Sequence, residues 1–200
     1  MEDGEIQGLE VVSCVRCPRL VESRSRIVNG VGPEDAELLV VGEAPGAQED
    51  REGEPFVGRS GQLLTSQLAA AGLDREDVRI TNCIRCRPPE NRDPTTQELE
   101  NCRPWLAAEI EGVDPDVILA VGKVPASRLL RRDVAVTAEA GQVESVEIGS
   151  GEWPVVISVH PAATLYDRSL EETFTAAVRT AANRVGPGVR DEDQTGLGDF

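Results

Sequence analysis

The chain is predicted to be α/β, a three-layer αβα sandwich around a central four-stranded parallel sheet. Four short apolar runs, each closed by Gly or a polar residue, alternate with amphipathic stretches of helical length. Strands joined by helix-length crossovers lie parallel, and a parallel sheet hides both faces beneath helices.

The first run, ELLVVG (37–42), stops at a glycine and reads as a buried strand. Ser60–Ala71 puts Leu64, Leu68 and Ala71 on one helical face and ends at Gly72. VRITNC (78–83) is the second strand, and RPPENRDP (87–94) is a loop, because its prolines and Asn/Asp forbid regular structure. Thr95 or Thr96 caps a helix to about Glu111. DVILAVG (116–122) is the third strand, followed by a helix through Leu130. QVESVEI (142–148) alternates like an edge strand or hairpin arm, PVVISV (154–159) is the fourth buried strand, and 169–184 is helical. No internal repeat is visible. Residues 1–186 read as a single domain whose first 36 residues wrap the outside, and 187–200 as a disordered acidic tail.

Charge narrows the setting. Asp and Glu number 36 against 20 Lys and Arg, a net charge of −16, and Lys123 is the one lysine. An acidic, lysine-poor chain with 3% aromatics and an ordinary apolar pattern suits molar salt, where ions screen self-repulsion; the alternative is a mesophilic acidic protein with acidic termini. No apolar run approaches a membrane span, and no charged-then-apolar leader precedes Cys14. A cytoplasmic, monomeric protein with no membrane partner is expected, in a compartment that keeps thiols reduced.

Four cysteines in the pattern Cys14-x2-Cys17, then Cys86 and Cys102 after long gaps, read as ligands of one metal centre. Zinc modules usually pair their ligands as two short knuckles, and only one exists here, so the set leans towards a [4Fe–4S] cluster. Two disulfides would be the plainer alternative and fit a reducing compartment poorly. Cys83 lies in an apolar strand pattern and reads as a small buried hydrophobe.

Ligands of open α/β sheets sit beyond the carboxyl ends of the strands. The first strand here runs into GEAPGAQED (42–50) and then GEPFVGRSG (53–61). The second ends at Thr81-Asn82, and the fourth at His160-Pro161-Ala162-Ala163, with the only histidine. One crevice would then gather Glu43, Glu49, Asp50, Phe56, Asn82 and His160. Singly, each has a plain explanation as a turn, a solvated charge, a core ring or a cap. Their joint placement at strand ends favours a site.

These segments, with Cys14-x2-Cys17, GEPFVGRSGQLL, ITNCIRCRPPENRDP, the NCRPWL stretch around Cys102 and VHPAA, resemble family 4 uracil-DNA glycosylases, the iron–sulfur branch of that superfamily. The match spans residues 14 to about 166 in the family's order, and the set of motifs is far more specific than any one. The resemblance implies a four-stranded parallel sheet between helices and a monofunctional DNA repair enzyme. Its reaction would be hydrolysis of the N-glycosidic bond of deoxyuridine in single- or double-stranded DNA, releasing uracil and leaving an abasic site. It implies that the base is flipped into a pocket, where Phe56 stacks on it and Asn82 reads O4 and N3–H. His160 would donate to O2, and Glu43, or else Glu49 with help from Asn91, would position the water. Gly42 and Ala44 would line the pocket, and Leu165, with Tyr166 behind it, would wedge the duplex. The cluster at Cys14, Cys17, Cys86 and Cys102 would be structural. A covalent-trapping branch carries a basic, His-containing insertion after the second strand. Arg85–Cys102 has none, so ordinary turnover is implied, and Ala44 replaces the aspartate that some superfamily members carry there.

Net charge opposes DNA binding. Arg51, Arg59, Arg85, Arg87, Arg92 and Arg168 cluster around the proposed face and soften that conflict. Two rivals remain: a non-catalytic iron–sulfur DNA-binding or redox-sensing module, and a zinc-stabilised nucleotide-binding α/β protein. The first would bind DNA without releasing uracil; the second would be colourless and prefer free nucleotides.

Overall fold

A computed structural model describes residues 3–186. The sequence-predicted tail at 187–200 lies outside the described residues. The chain opens with a hairpin, β1 Gly4–Gln7 and β2 Glu10–Cys14, paired antiparallel apart from the main sheet. Its turn packs on the helix that carries Cys102, and a side chain at Gly112 would strike Leu9. Helix α1, Pro18–Ser23, follows Cys17 at once, with proline at the start, where no N–H is needed.

The central sheet then begins with β3 Leu38–Gly42. Helix α2 Ala47–Glu52 and helix α3 Arg59–Ala70 lead to β4 Arg79–Asn82. Helix α4, Thr96–Val113, starts at a reciprocal cap: Thr95 accepts from the Glu98 N–H while the Glu98 carboxylate accepts from the Thr95 N–H. It is followed by β5 Val117–Val121, α5 Lys123–Leu130 and α6 Val136–Glu139. The hairpin β6 Val143–Ile148 and β7 Gly151–Ser158 precedes α7 Pro161–Tyr166 and α8 Leu170–Ala182. Among the described residues, no helix is long and apolar enough to cross a membrane.

Strand order is β4-β3-β5-β7-β6. The sheet therefore has five strands, correcting the predicted four. Its three pairings among β4, β3, β5 and β7 run parallel as predicted, while β6 adds an antiparallel edge on β7. QVESVEI becomes that edge because a tight turn at Gly149, with φ +57°, returns the chain directly onto β7. An edge strand buries one face only, hence its alternation.

Successive residues of each inner strand serve opposite faces. Leu39, Val41, Ile118, Ala120, Val155 and Ile157 pack with Leu106 and Ile110 of α4 and Ala126 of α5. Leu38, Val40, Leu119, Val121 and Val156 pack with Leu64 and Leu68 of α3 and Phe174 and Val178 of α8. Helices thus cover both faces. The chain leaves β3 for β4 on one side and returns to β5 on the other, and this reversal of direction opens a crevice at the strand C-ends.

Candidate active site

Gly42 ends β3 opposite Asn82, which ends β4. A Cβ on Gly42 would collide with Asn82 Oδ1 and lie 2.7 Å from Phe56 Cζ, so a bare Cα is what lets carboxamide and ring meet. Phe56 itself has φ +54°, a left-handed conformation that is strained for an aromatic residue. Gly61 accommodates it, since a side chain there would overlap the Phe56 carbonyl. Strain of this kind is held where surrounding structure over-determines it, and it clusters at functional sites.

His160 follows β7 and caps α7: its Nδ1 accepts the Ala162 N–H at 3.1 Å. An acceptor at Nδ1 puts the proton of the neutral ring on Nε2. Burial pushes its pKa down to about 4, so the ring is neutral near pH 7. The imidazole stacks against Phe56, centroids 5.9 Å apart and planes 29° from parallel. Phe56, Asn82 and His160, distant in sequence, therefore form one wall.

Glu43, just past Gly42, is half-buried. Burial raises its pKa and the charge of Asp93 adds to the effect. Glu49 sits in the first turn of α2, its carboxylate against the bare Cα faces of Gly46 and Gly58. Ala44 is half-buried and packs against the α4-side core. Asn91 is exposed, with φ +54°, and its Oδ1 accepts from Arg87 Nε at 2.8 Å. Among the described residues no hydrogen bond joins it to Glu43 or Glu49; from the same loop it is Asp93 that acts on Glu43.

Asp50 departs from the expected crevice. It is 1% exposed and accepts from the Ser25 N–H at 2.8 Å, so it ties the N-terminal segment to α2. Arg85 also departs from the expected DNA face, being buried against Glu109. Arg92 is held by Glu98 and Arg87 by Asn91. Arg51, Arg59 and Arg168 remain exposed. Leu165 and Tyr166, at the end of α7, are 40% and 92% exposed, so neither packs away beneath α8.

All five cysteines are unpaired. Cys14 ends β2, Cys17 precedes α1, Cys86 follows β4 and Cys102 lies in α4. Arg24 Nη1 donates to Cys86 Sγ at 2.9 Å, and Asn101 Nδ2 to Cys17 Sγ at 3.4 Å. Burial pushes the Cys17 and Cys86 thiols up and the Cys102 thiol to about 12. Among the described residues no three His, Cys, Asp or Glu side chains converge as a single metal ion would require. Cys83 is 3% exposed in the core, as its strand pattern implied. Sequence spacing marked the cysteines but not Arg24, Asn101 or Asp93, which reach the site through space alone.

The sequence model of the uracil DNA glycosylase superfamily matches residues 29–183. A type-4 uracil-DNA glycosylase of Archaeoglobus fulgidus is 43% identical over 82% of this chain and 84% of its own length. The type-4 enzyme of Thermotoga maritima is 41% identical, over 84% and 85%. That of Saccharolobus solfataricus is 39% identical, over 87% and 84%.

Proposed function

The chain belongs to the uracil-DNA glycosylase superfamily, alongside its type 4 members, and from that premise we propose that it excises uracil from DNA by hydrolysis. The observation that carries the residue assignments is the wall of Phe56, Asn82 and His160, with Nδ1 engaged and an Nε2–H left to donate.

A uracil in a duplex is out of reach until it is flipped out. Phe56 stacks on the extrahelical ring. The Asn82 carboxamide accepts from N3–H and donates to O4. Cytosine presents the opposite polarity there and would leave buried polar groups unpaired. As the glycosidic bond breaks, negative charge grows on O2. His160 Nε2–H meets it as a neutral, preorganised donor, an arrangement that costs no reorganisation during the reaction. Gly42 and Ala44 line the wall beside Asn82.

The departing uracil leaves an oxocarbenium-like sugar, for which a nearby carboxylate is a counter-charge. Glu43, half-buried beside Gly42, fills this role and orients the attacking water; Glu49 is the second candidate. Asn91 acts on the same loop as Asp93 rather than through a direct bond. Leu165 is the duplex wedge, with Tyr166 beside it.

Cys14, Cys17, Cys86 and Cys102 would hold a [4Fe–4S] cluster. Four ligands on one tetrahedral zinc would bring their sulfurs within ~4 Å of one another. The four thiols lie close enough for their charges to act on one another, which suits one shared cluster. Its contribution is structural: it would tie the N-terminal hairpin and α1 to α4 and to the loop after Asn82. The enzyme is read as a cytoplasmic monomer formed by residues 1–186.

Strand cleavage of a uracil-containing oligonucleotide after alkaline treatment tests the proposal, with His160→Ala and Asn82→Ala beside the wild type. Uracil-dependent cleavage, lost in both variants, is the expected result. DNA binding without uracil release by a cluster-loaded protein would sink the enzyme reading in favour of a binding module.

A further inference from the structure

Below Asn82 lies a buried constellation that uracil excision leaves unexplained. Glu109 of α4, fully buried, accepts from Arg79 Nε at 2.7 Å and from Arg85 Nη2. Arg85 Nη1 also donates to Thr81 Oγ1, one residue before Asn82. One carboxylate against two guanidinium groups leaves an excess positive charge in the interior, and an unbalanced buried ion is costly.

The two arginines dispose of their remaining donors differently. Arg79 turns to the N-terminal segment, donating to Gly32 O at 2.9 Å. Arg85 stands beside the cysteines: it directly precedes Cys86 in the chain, and its charge acts on the Cys102 sulfur. Arg24 repeats the arrangement from the other side. Its Nη1 donates to Cys86 Sγ at 2.9 Å and its Nη2 to Cys14 O at 2.8 Å, and among the described residues no carboxylate pairs with it. The Arg24 guanidinium thus touches a cysteine sulfur directly and the Arg85 charge acts on another, in a chain of net charge −16 where cations are scarce.

We propose that Arg24 and Arg85 are the counter-charges of the iron–sulfur cluster, and that Arg85 couples the cluster to the base-reading strand by holding Thr81 beside Asn82. This rests on the four-cysteine cluster proposed above. A cubane ligated by four thiolates is an anion, so the excess cation and the cluster each lower the cost of burying the other. Charge and geometry are separable at Arg85. A lysine keeps the charge but cannot reproduce the fork that reaches Thr81 and Glu109 together. Both arginines are positioning residues, since neither touches the base.

The test uses anaerobically purified, iron-loaded protein with Arg24→Gln, Arg85→Gln and Arg85→Lys. The cluster midpoint is followed by redox titration with electron paramagnetic resonance, and free uracil is titrated as a competitive inhibitor. Arg24→Gln and Arg85→Gln should move the midpoint to more negative potential, because a lost cation disfavours the added electron. Arg24→Gln should leave uracil inhibition unchanged. Arg85→Lys should keep a near wild-type midpoint and weaken uracil inhibition about tenfold, the scale of one charged hydrogen bond. Wild-type midpoints in both Gln variants would overturn the counter-charge role, and wild-type uracil inhibition in Arg85→Lys would overturn the coupling. If Arg85→Gln fails to fold, Arg24→Gln decides the first point alone, its side chain being half-exposed. A wild type lacking iron and visible absorbance would instead overturn the cluster reading itself, and iron analysis tells that failure apart.

Discussion

Gly42 and Asn82 are register partners at the C-ends of adjacent parallel strands, and the missing side chain of one makes room for the carboxamide of the other. Phe56 fills the rest of the same space. The base-reading wall is therefore built on backbone that cannot accept even a methyl group.

Gly42→Ala follows from that crowding. The added Cβ would displace Asn82 and Phe56 together by a few tenths of an ångström or more, while the core around β3 stays intact. A misplacement near 1 Å costs about 100-fold in rate. A drop in kcat/KM of roughly that size is expected, with little change in the far-ultraviolet circular dichroism spectrum. Full activity in the alanine variant would mean that the wall does not read the base.

The acid side of the pH profile should belong to Glu43 and not to His160. Burial and Asp93 raise Glu43 above its ordinary 4.5, so its useful anionic form is lost as pH falls through that raised value. His160 holds its neutral donor down to about 4, which removes any inflection near its ordinary 6.5. His160→Asn should lower kcat by about 100- to 1,000-fold yet leave the acid limb in place. Glu43→Gln should remove the limb, and Asp93→Asn should shift it to lower pH. For stability His160 works in the same direction. The unfolded chain protonates His160 near 6.5 and the folded one only near 4, so folding stability falls as pH drops through that window. Chemical denaturation across that pH range, compared with His160→Asn, measures the loss.

Much of this was legible in the sequence, for physical reasons that differ by element. Inner parallel strands must be apolar on both faces, so ELLVVG, DVILAVG and PVVISV announced themselves. The ends of ELLVVG, VRITNC and PVVISV then brought Gly42, Asn82 and His160 to one edge of the sheet, and the crevice followed. The fifth strand was visible as an alternating run, but its partner was set by the turn at Gly149, which no periodicity encodes. The hairpin at Gly4–Cys14 escaped because it buries little beyond Val11. Asp50 looked like solvated helix charge. Its burial depends on the Ser25 amide, 25 residues away in sequence. Arg85 misled in the opposite sense, since a buried arginine needs a carboxylate that only folding brings near.

Salt dependence should separate this protein from basic DNA-binding proteins. With Arg85, Arg87 and Arg92 engaged within the fold, Arg51, Arg59 and Arg168 are left for phosphates. Each phosphate contact contributes roughly one unit to the slope of log affinity against log salt. A slope of about −3 or shallower is expected, with cleavage still measurable in molar KCl, where the net charge of −16 is screened. Fluorescence anisotropy with a uracil-containing duplex across KCl concentrations gives the slope directly. Steep loss of activity between low and molar KCl would count against adaptation to high salt.

Leu165 and Tyr166 offer a sharper contrast, because exposure leaves them little to do in the folded chain alone. An apolar pair 40% and 92% exposed at the end of the helix that His160 caps is well placed to enter a base step. Inserted apolar side chains offset the few kcal/mol needed to unstack a step, and that cost is absent in single strands. Leu165→Ala should therefore lower kcat/KM on duplex uracil substrates about tenfold while leaving single-stranded activity near wild type. Thermal stability should change by no more than about 0.5 kcal/mol, as for other surface positions. A larger fall in stability would mean that Leu165 packs in solution against α8. Equal losses on both substrates would assign it to the pocket rather than to opening the duplex. Tyr166→Ala, more exposed still, should follow the same split with a smaller effect if Leu165 is the residue that enters the stack.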